Sequence, residues 1–262
     1  MYSVERKAEI INMLESTGVV DINNLAAKFG VSKETVRRDL RDLEANSIIQ
    51  RTHGGAVLAK QHNNTQKSHE YPIAVRGIQQ FNEKNEICRK AASFIQDGDI
   101  IFVDNSSTTM YLSKYVSKDI QVTFITNSIK FLLECVQNPN PNVFLICLGG
   151  IFNNHNLSVY GNTTIKNAAE YYPNKAFLSC ASISSQTMLA DTSIYEIDTK
   201  RTMIERAQEI YILADHTKFN KNGPIFLSSM DSVNYLITDE QADSSLLKNF
   251  AHTNINIISA NS

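Results

Sequence analysis

Residues Gly30-Val31-Ser32-Lys33-Glu34-Thr35-Val36-Arg37-Arg38-Asp39-Leu40-Arg41-Asp42-Leu43 read as a capped amphipathic helix with an arginine-rich polar face. Ser32 is placed to accept a hydrogen bond from an unpaired first-turn amide, and Glu34 puts negative charge at the positive end of the helix dipole. Val36, Leu40 and Leu43 recur at spacings of four and three, so they share one face. Glu34, Arg38 and Arg41 fall opposite, with Thr35 and Arg37 on the flanks. Arg37 and Arg41 are four residues apart and repel by about 0.2–0.5 kcal/mol, a cost that phosphates between them would remove. A plain solvated surface helix has the same pattern, so the flanking sequence decides.

Before this helix, Val4, Ile10, Ile11 and Leu14 mark an amphipathic helix over 3–16, stopped by Gly18. Val19-Val20 can form a brief strand, and Asp21 caps a helix whose core face is Ile22, Leu25, Ala26 and Phe29. Gly30 supplies the turn between that helix and the arginine-rich one, which is a helix-turn-helix pattern. Beyond it, Ser47 to Leu58 reads as two strand segments around Gly54-Gly55, a wing with Arg51 and His53 beside its tip.

These residues resemble the winged helix-turn-helix of the DeoR family of bacterial transcriptional regulators. The likeness rests on Arg6, Leu25-Ala26, the run Val31-Ser32 to Thr35-Val36-Arg37-Arg38-Asp39-Leu40, Leu43, and Arg51 with His53-Gly54-Gly55-Ala56. It implies DNA contacts from Arg6, Ser32, Lys33, Thr35, Arg37, Arg38, Arg41, Arg51 and His53. Arg38 is the best candidate to read guanine, because its planar fork matches O6 and N7 together.

A chain of 262 residues suits a small module followed by a larger domain. The expected division is a DNA-binding domain over 1–58, a polar linker over 59–69 and an effector domain over 70–262. A hydrophobic share of 42% supports a proper core, and no apolar run approaches a membrane span of roughly 20 residues. With no signal-peptide pattern, the expected location is the cytoplasm. Residues 1–60 carry nine Lys/Arg against eight Asp/Glu and the remainder sixteen against nineteen, so DNA would be met by a shaped surface and not by bulk charge. Cys88, Cys135, Cys147 and Cys180 form no CxxC pair and read as buried thiols, and the histidines have no zinc spacing; neither a metal nor a cofactor is expected.

After a helix carrying Ile87, Ala91, Ala92 and Ile95, apolar runs start at Ile100, Val122, Val143, Lys175, Ile210 and Val233, separated by helical stretches. Near-continuous apolar strands alternating with helices imply an α/β, Rossmann-like, mostly parallel sheet covered on both faces, with ligands at the carboxyl ends of its strands. The residues there are Asp104, Asn105, Ser106, Ser107, Thr108 and Thr109, leading into a helix near Met110, then Thr126-Asn127-Ser128, Gly149-Gly150, Ser182, and Asp215 with Lys218. Hydroxyls and amides at a helix start suit an oxyanion, Lys218 could neutralise it, and Asp215 could accept from sugar hydroxyls.

The resemblance extends to the family's effector domain, related in fold to ribose-5-phosphate isomerase and glucosamine-6-phosphate deaminase. It implies a phosphosugar-like effector with its phosphate at 104–109, and rests also on Arg76, Lys84, Gly161, Phe177 and Glu196. Serine stands at Ser106, Ser179 and Ser182 where the family usually has glycine, which restricts the backbone and adds hydroxyls to the pocket.

The expected function is a regulator, a repressor of sugar-metabolism genes, that binds double-stranded operator DNA as a dimer or tetramer and is released by a phosphorylated sugar. The alternatives are a sugar-phosphate isomerase or deaminase with an appended DNA-binding domain, and a regulator whose pocket no longer responds.

Overall fold

The computed structural model describes residues 3–45, 48–59, 71–186, 188–243, 247, 250 and 254–260. They fall into two compact units, Met1–Phe81 and Asn82–Ser262. Apart from Ala59, the expected linker lies outside the described residues.

In the first unit α1 (Ser3–Thr17), β1 (Val19–Asp21), α2 (Ile22–Phe29), α3 (Lys33–Ala45), β2 (Ile49–Arg51) and β3 (Gly55–Leu58) follow in the expected order. Asp21 caps α2 by accepting from the amides of Asn23 and Asn24, and Gly30 ends it at φ +64°, a left-handed conformation that glycine adopts without penalty. Ile10, Ile11, Leu14, Leu25, Val36, Leu40 and Leu43 make one buried core. The three strands pair antiparallel in the order β1-β3-β2. Gly55 is required where β3 crosses β1, because a Cβ there would lie 1.8 Å from the Val20 carbonyl oxygen.

One boundary differs from expectation. Helix α4 (Ile73–Ile78), assigned from sequence to the effector domain, belongs to the first unit. Val75 is buried in the winged-helix core, and Tyr71 and Ile78 pack against it. Apolar burial on α1 outweighs the order of the chain.

The second unit begins with α5 (Phe81–Ala92), then β4 (Ile100–Val103), β5 (Val122–Thr126), α6 (Ile129–Gln137), β6 (Val143–Cys147), β7 (Ile151–Asn153), β8 (Ser158–Tyr160), α7 (Asn162–Ala169), β9 (Lys175–Leu178), β10 (Ser182–Ile183) and β11 (Met188–Asp191). It continues with α8 (Ile197–Arg206), β12 (Glu209–Leu213), β13 (Ile225–Ser229), β14 (Tyr235–Thr238) and β15 (Asn256–Ser259). Seven strands form a parallel sheet in the order β15-β14-β12-β9-β4-β5-β6. Alternate residues face alternate cores: Ile101 and Val103 pack with Phe124 under α5 and α6, while Phe102 packs with Leu178 and Met203 on the opposite face. Phe177, Tyr211 and Tyr235 stack across three neighbouring strands with centroids 4.6 and 4.5 Å apart.

The chain leaves β4 toward β5 and β6 on one side and β9, β12 and β14 on the other, so the sheet reverses its winding between β4 and β9. Ligands of such sheets bind in the crevice above that point. Not read from sequence were β15, the β7–β8 hairpin and the small sheet β10-β11-β13. The helix expected near Met110 is a seven-residue 3₁₀ helix, Thr109–Tyr115, whose amides make a weaker anion site than a full α-helix would. No described helix is long and apolar enough to cross a membrane.

Candidate functional site

In the first unit Ser32 caps α3 as expected: its Oγ accepts from the Thr35 amide at 3.1 Å and contacts Thr35 Oγ1 at 2.9 Å. Lys33, Arg38 and His53 are exposed, and none makes an intramolecular hydrogen bond or ion pair among the described residues. The remaining arginines are engaged. Glu34 accepts from Arg41 Nη2 and, at 3.4 Å, from Arg37 Nη1, so within the chain a carboxylate, and not a phosphate, bridges the two guanidiniums. These hydrogen bonds, that of Arg41 foremost, hold the Glu34 carboxyl below the usual carboxylate range. Arg51 Nε bonds Glu44 Oε2 at 2.6 Å, and its amide donates to Glu44 Oε1 at 3.1 Å, fixing the wing to the end of α3.

Arg6, one of the expected DNA contacts, is engaged within the fold. It is 8% exposed, and its Nε and Nη2 reach Asp39 Oδ2 and Oδ1 at 2.8 and 3.3 Å, with Ser3 Oγ also donating to Asp39. Asp39 lies on α3 beside Arg38, so this buried fork ties α3 to α1 and restrains its rotation.

In the second unit Asp104, directly after β4, is the centre of a buried network. Its Oδ1 accepts from the Ser106 amide at 3.2 Å and from Thr109 Oγ1 at 2.6 Å. Its Oδ2 accepts from the Ser179 amide at 3.0 Å, across the switch point, and pairs with Lys200 Nζ at 3.1 Å. Lys200 also meets Asp191 Oδ2 at 2.5 Å and the Ser179 carbonyl at 3.1 Å. Burial alone would lower the Lys200 pKa; the Asp104 and Asp191 carboxylates reverse that and hold it above the ordinary lysine value. Sequence reasoning missed Lys200 and Asp191. Their signal, a lysine on α8 nine residues after an aspartate, is not distinctive.

Around this network Lys84 Nζ donates to Ser107 Oγ at 3.1 Å, and Cys88 Sγ donates to the Thr108 carbonyl at 2.9 Å. Ser106 Oγ accepts from the Thr109 amide at 3.1 Å and meets Thr109 Oγ1 at 2.8 Å, so the hydroxyl takes an amide that an anion would otherwise use. Asn127 Nδ2 reaches Asn105 Oδ1 at 3.4 Å and the Val159 carbonyl at 3.2 Å. Thr126 and Ser128 serve local structure: Thr126 Oγ1 donates to the Val103 carbonyl, and Ser128 Oγ caps α6 through the Phe131 amide. Gly149 and Gly150 form the turn into β7, where a Cβ on Gly150 (φ +146°) would lie 2.1 Å from Thr164 Oγ1.

Glu196 is saturated by the β7–β8 hairpin region. Asn153 Nδ2, Asn156 Nδ2 and Ser158 Oγ donate to it at 3.1, 2.9 and 2.5 Å, so it secures α8 and leaves little acceptor capacity for a ligand. Asp215 Oδ1 accepts from the Thr217 amide at 3.0 Å and from Thr217 Oγ1. Among the described residues, three buried polar atoms at these strand ends have no partner: Asn127 Oδ1, Asp215 Oδ2 and Ser182 Oγ. Lys218 is half-buried and makes no ion pair among the described residues. Burial pushes the neighbouring Cys180 thiol up to about 12, against the opposing charge of Lys218. Of the four free cysteines Cys88, Cys135 and Cys180 are buried; Cys147, expected to be buried as well, is exposed on β6 because that strand is the edge of the sheet. No cluster of three potential metal ligands occurs among the described residues.

Two family models match the chain. The DeoR-like helix-turn-helix domain matches residues 6–62 and the DeoR C terminal sensor domain residues 79–240. Among curated relatives, an uncharacterized HTH-type transcriptional regulator of Bacillus subtilis, YulB, is 32% identical, covering 95% of this chain and 93% of its own. The glycerol-3-phosphate regulon repressor of Escherichia coli is 27% identical over 91% of this chain and 92% of its own. Among solved structures, ribose 5-phosphate isomerase A of Methanocaldococcus jannaschii aligns at a TM-score of 0.41 with 16% identity, over 54% of this chain and 55% of that one.

Proposed function

The chain belongs to the DeoR family of transcriptional regulators, and on that premise we propose that it represses carbohydrate-metabolism genes and is released from operator DNA by a phosphorylated sugar or related metabolite. The first unit supplies the DNA contacts. Lys33, Arg38 and His53 are exposed and, among the described residues, unpaired, with Arg38 on the polar face of α3 and His53 on the wing, the elements that enter grooves in winged-helix proteins.

The observation that carries the effector reading is the pair of buried, partnerless acceptors Asn127 Oδ1 and Asp215 Oδ2. A buried acceptor without a donor costs about 1–3 kcal/mol, so both atoms favour a ligand that brings hydroxyl donors. Lys218 and the Ser107–Lys84 contact offer positive charge for a phosphate on the same ligand. A relative named for the glycerol-3-phosphate regulon fits this class of metabolite. Such a regulator works in the cytoplasm as a homo-oligomer, because one winged helix covers one half-site.

The test is an operator gel shift at fixed, stated salt, titrated with a panel of sugar phosphates and the corresponding free sugars. Release by one or a few phosphorylated members supports the reading; turnover of any of them by the chain, or release by free sugars alone, overturns it. A second reading, a pocket that has lost its response, is favoured by Ser106 Oγ already holding the Thr109 amide, and predicts no release by any member.

A further inference from the structure

Shortly after β12 the chain makes a three-residue 3₁₀ turn, His216–Lys218, capped by Asp215. So short a helix has little stability of its own. Inside it, Asp215 Oδ1 accepts from the Thr217 amide and the Asp215 carbonyl accepts from the Lys218 amide, both at 3.0 Å. From outside, the turn is held by Asp239, the residue that follows β14. Asp239 Oδ2 accepts from the His216 amide at 2.7 Å, while Oδ1 stands 2.9 Å from His216 Nδ1 and accepts from the Gln241 amide at 3.0 Å. A carboxylate only accepts, so Nδ1 carries the ring proton that points at it. Asp239 is 3% exposed, and His216 is its only ionisable partner among the described residues. A carboxylate buried to that degree is tolerated where hydrogen bonds hold it, so the burial of Asp239 depends on His216 staying in place.

In the sheet β12 lies between β14 and β9. The His216 ring is drawn to the β14 side. Asp215 and Lys218 reach the β9 side: burial raises the thiol of Cys180, just beyond β9, and the charges of Lys218 and Asp215 act on it too. After the turn Phe219 bridges to Ile183, and the Lys221 amide donates to the Ile183 carbonyl at 3.2 Å, so the chain crosses from β14 to β10. Between these two anchors Asp215 Oδ2 is open and Lys218 makes no ion pair among the described residues. We propose that Asp239 is a positioning residue of the effector site, which pins His216 on one side of β12 so that Asp215 and Lys218 face the crevice on the other. Asp239 acts through His216 and touches no ligand itself. The inference rests on the effector reading for what the turn binds, and on the hydrogen bonds alone for what holds the turn.

The test is amide hydrogen exchange on the full-length chain, together with titration calorimetry using glycerol 3-phosphate, fructose 6-phosphate and inorganic phosphate as probes. His216→Ala removes the ring donor, and Asp239→Asn leaves one acceptor oxygen for three donors. Both should speed exchange across 215–218 by about tenfold or more while β12 and β14 keep their protection, a local opening and not a global loss of stability. A probe that binds the wild type should bind both variants about tenfold more weakly, the scale of a lost hydrogen bond to a charged group. His216→Asn sets a side-chain N–H where Nδ1 stands and should restore both protection and binding. Unchanged exchange at 215–218, protection lost equally from β12 and β14, unchanged binding with the turn released, or a His216→Asn chain that behaves as His216→Ala overturns the proposal. If Asp239→Asn fails to fold, the half-buried His216 carries the test through its Ala and Asn variants. A wild type that binds none of the three probes defeats the effector reading, and exchange across 215–218 then decides the clamp by itself.

Discussion

Lys200 Nζ stands 3.1 Å from Asp104 Oδ2, tying α8 to the loop that leaves β4. With Asp191 at 2.5 Å, one buried cation is shared by two buried carboxylates. Lys200→Met leaves both carboxylates uncompensated and should destabilise the second unit by about 3–5 kcal/mol in urea unfolding. The pH dependence has a definite sign. The folded-state pKa of Lys200 is raised, so its contribution is complete below the unfolded lysine value of about 10.4 and fades as pH climbs through the folded value. The gap between wild type and variant should therefore be flat from pH 6 to 9 and narrow above about pH 10; a gap already shrinking at pH 7 would contradict the assignment.

Among the described residues Arg38 has no intramolecular partner, whereas Arg51 is held by Glu44. Arg38→Ala should erase about 1–3 kcal/mol of discrimination between operator and scrambled DNA. Arg51→Ala should weaken both DNAs alike, because it loosens the wing. Equal losses for the two variants on both DNAs, measured at one salt concentration, would refute this division.

Glu34 restrains Arg37 and Arg41. Glu34→Gln keeps the shape of the side chain and removes its charge, freeing both guanidiniums for phosphates. The plot of log affinity against log salt should then steepen by about 1 to 2, close to 0.9 per added phosphate contact. An unchanged slope would mean that both arginines already reach phosphate in the complex.

The two wing glycines differ in what surrounds them. A Cβ on Gly55 falls 1.8 Å from the Val20 carbonyl oxygen, while one on Gly54 meets nothing closer than Asp21 Oδ2 at 3.7 Å. Gly55→Ala should cost at least about 1–3 kcal/mol in unfolding of the first unit and reduce binding to all DNA, and Gly54→Ala should do neither.

The winged helix was legible because its signals are local: a cap at Ser32, a 3–4 periodicity through Leu43 and a glycine at each turn. The role of Arg6 was not legible, because the group that buries it, Asp39, is 33 residues away. The six recognised strands are apolar on both faces, which is readable over four or five residues, whereas β10 and the β7–β8 hairpin have two or three residues each, too few to show a period. At the strand ends the polar residues were visible but their duties were not. Ser128 is consumed by a local cap and Thr126 and Glu196 by bonds to residues 23 to 43 positions away, while Asn127 and Asp215 are left with open acceptors, a distinction made largely by neighbours distant in sequence.

If the proposed effector places its phosphate at the loop after β4, the Ser106 hydroxyl is the group that competes with it. Its Oγ takes the Thr109 amide at 3.1 Å, and Thr109 Oγ1 is in turn held by Asp104 Oδ1 at 2.6 Å, so both donors of Thr109 are turned inward. Ser106→Gly removes the internal acceptor of the amide and leaves the Asp104 contact in place. A hydrogen bond to a charged group contributes about 1.5–3 kcal/mol, so a phosphorylated effector should bind the variant roughly tenfold or more tightly than wild type. Free sugars, having no anion to place there, should show no such gain. Thermal shift with matched phosphorylated and free sugars reads the difference, since each tenfold gain in affinity at saturating ligand adds about 1.4 kcal/mol to the stabilisation. Equal shifts for variant and wild type would place the phosphate elsewhere, with Lys218 the next position to substitute.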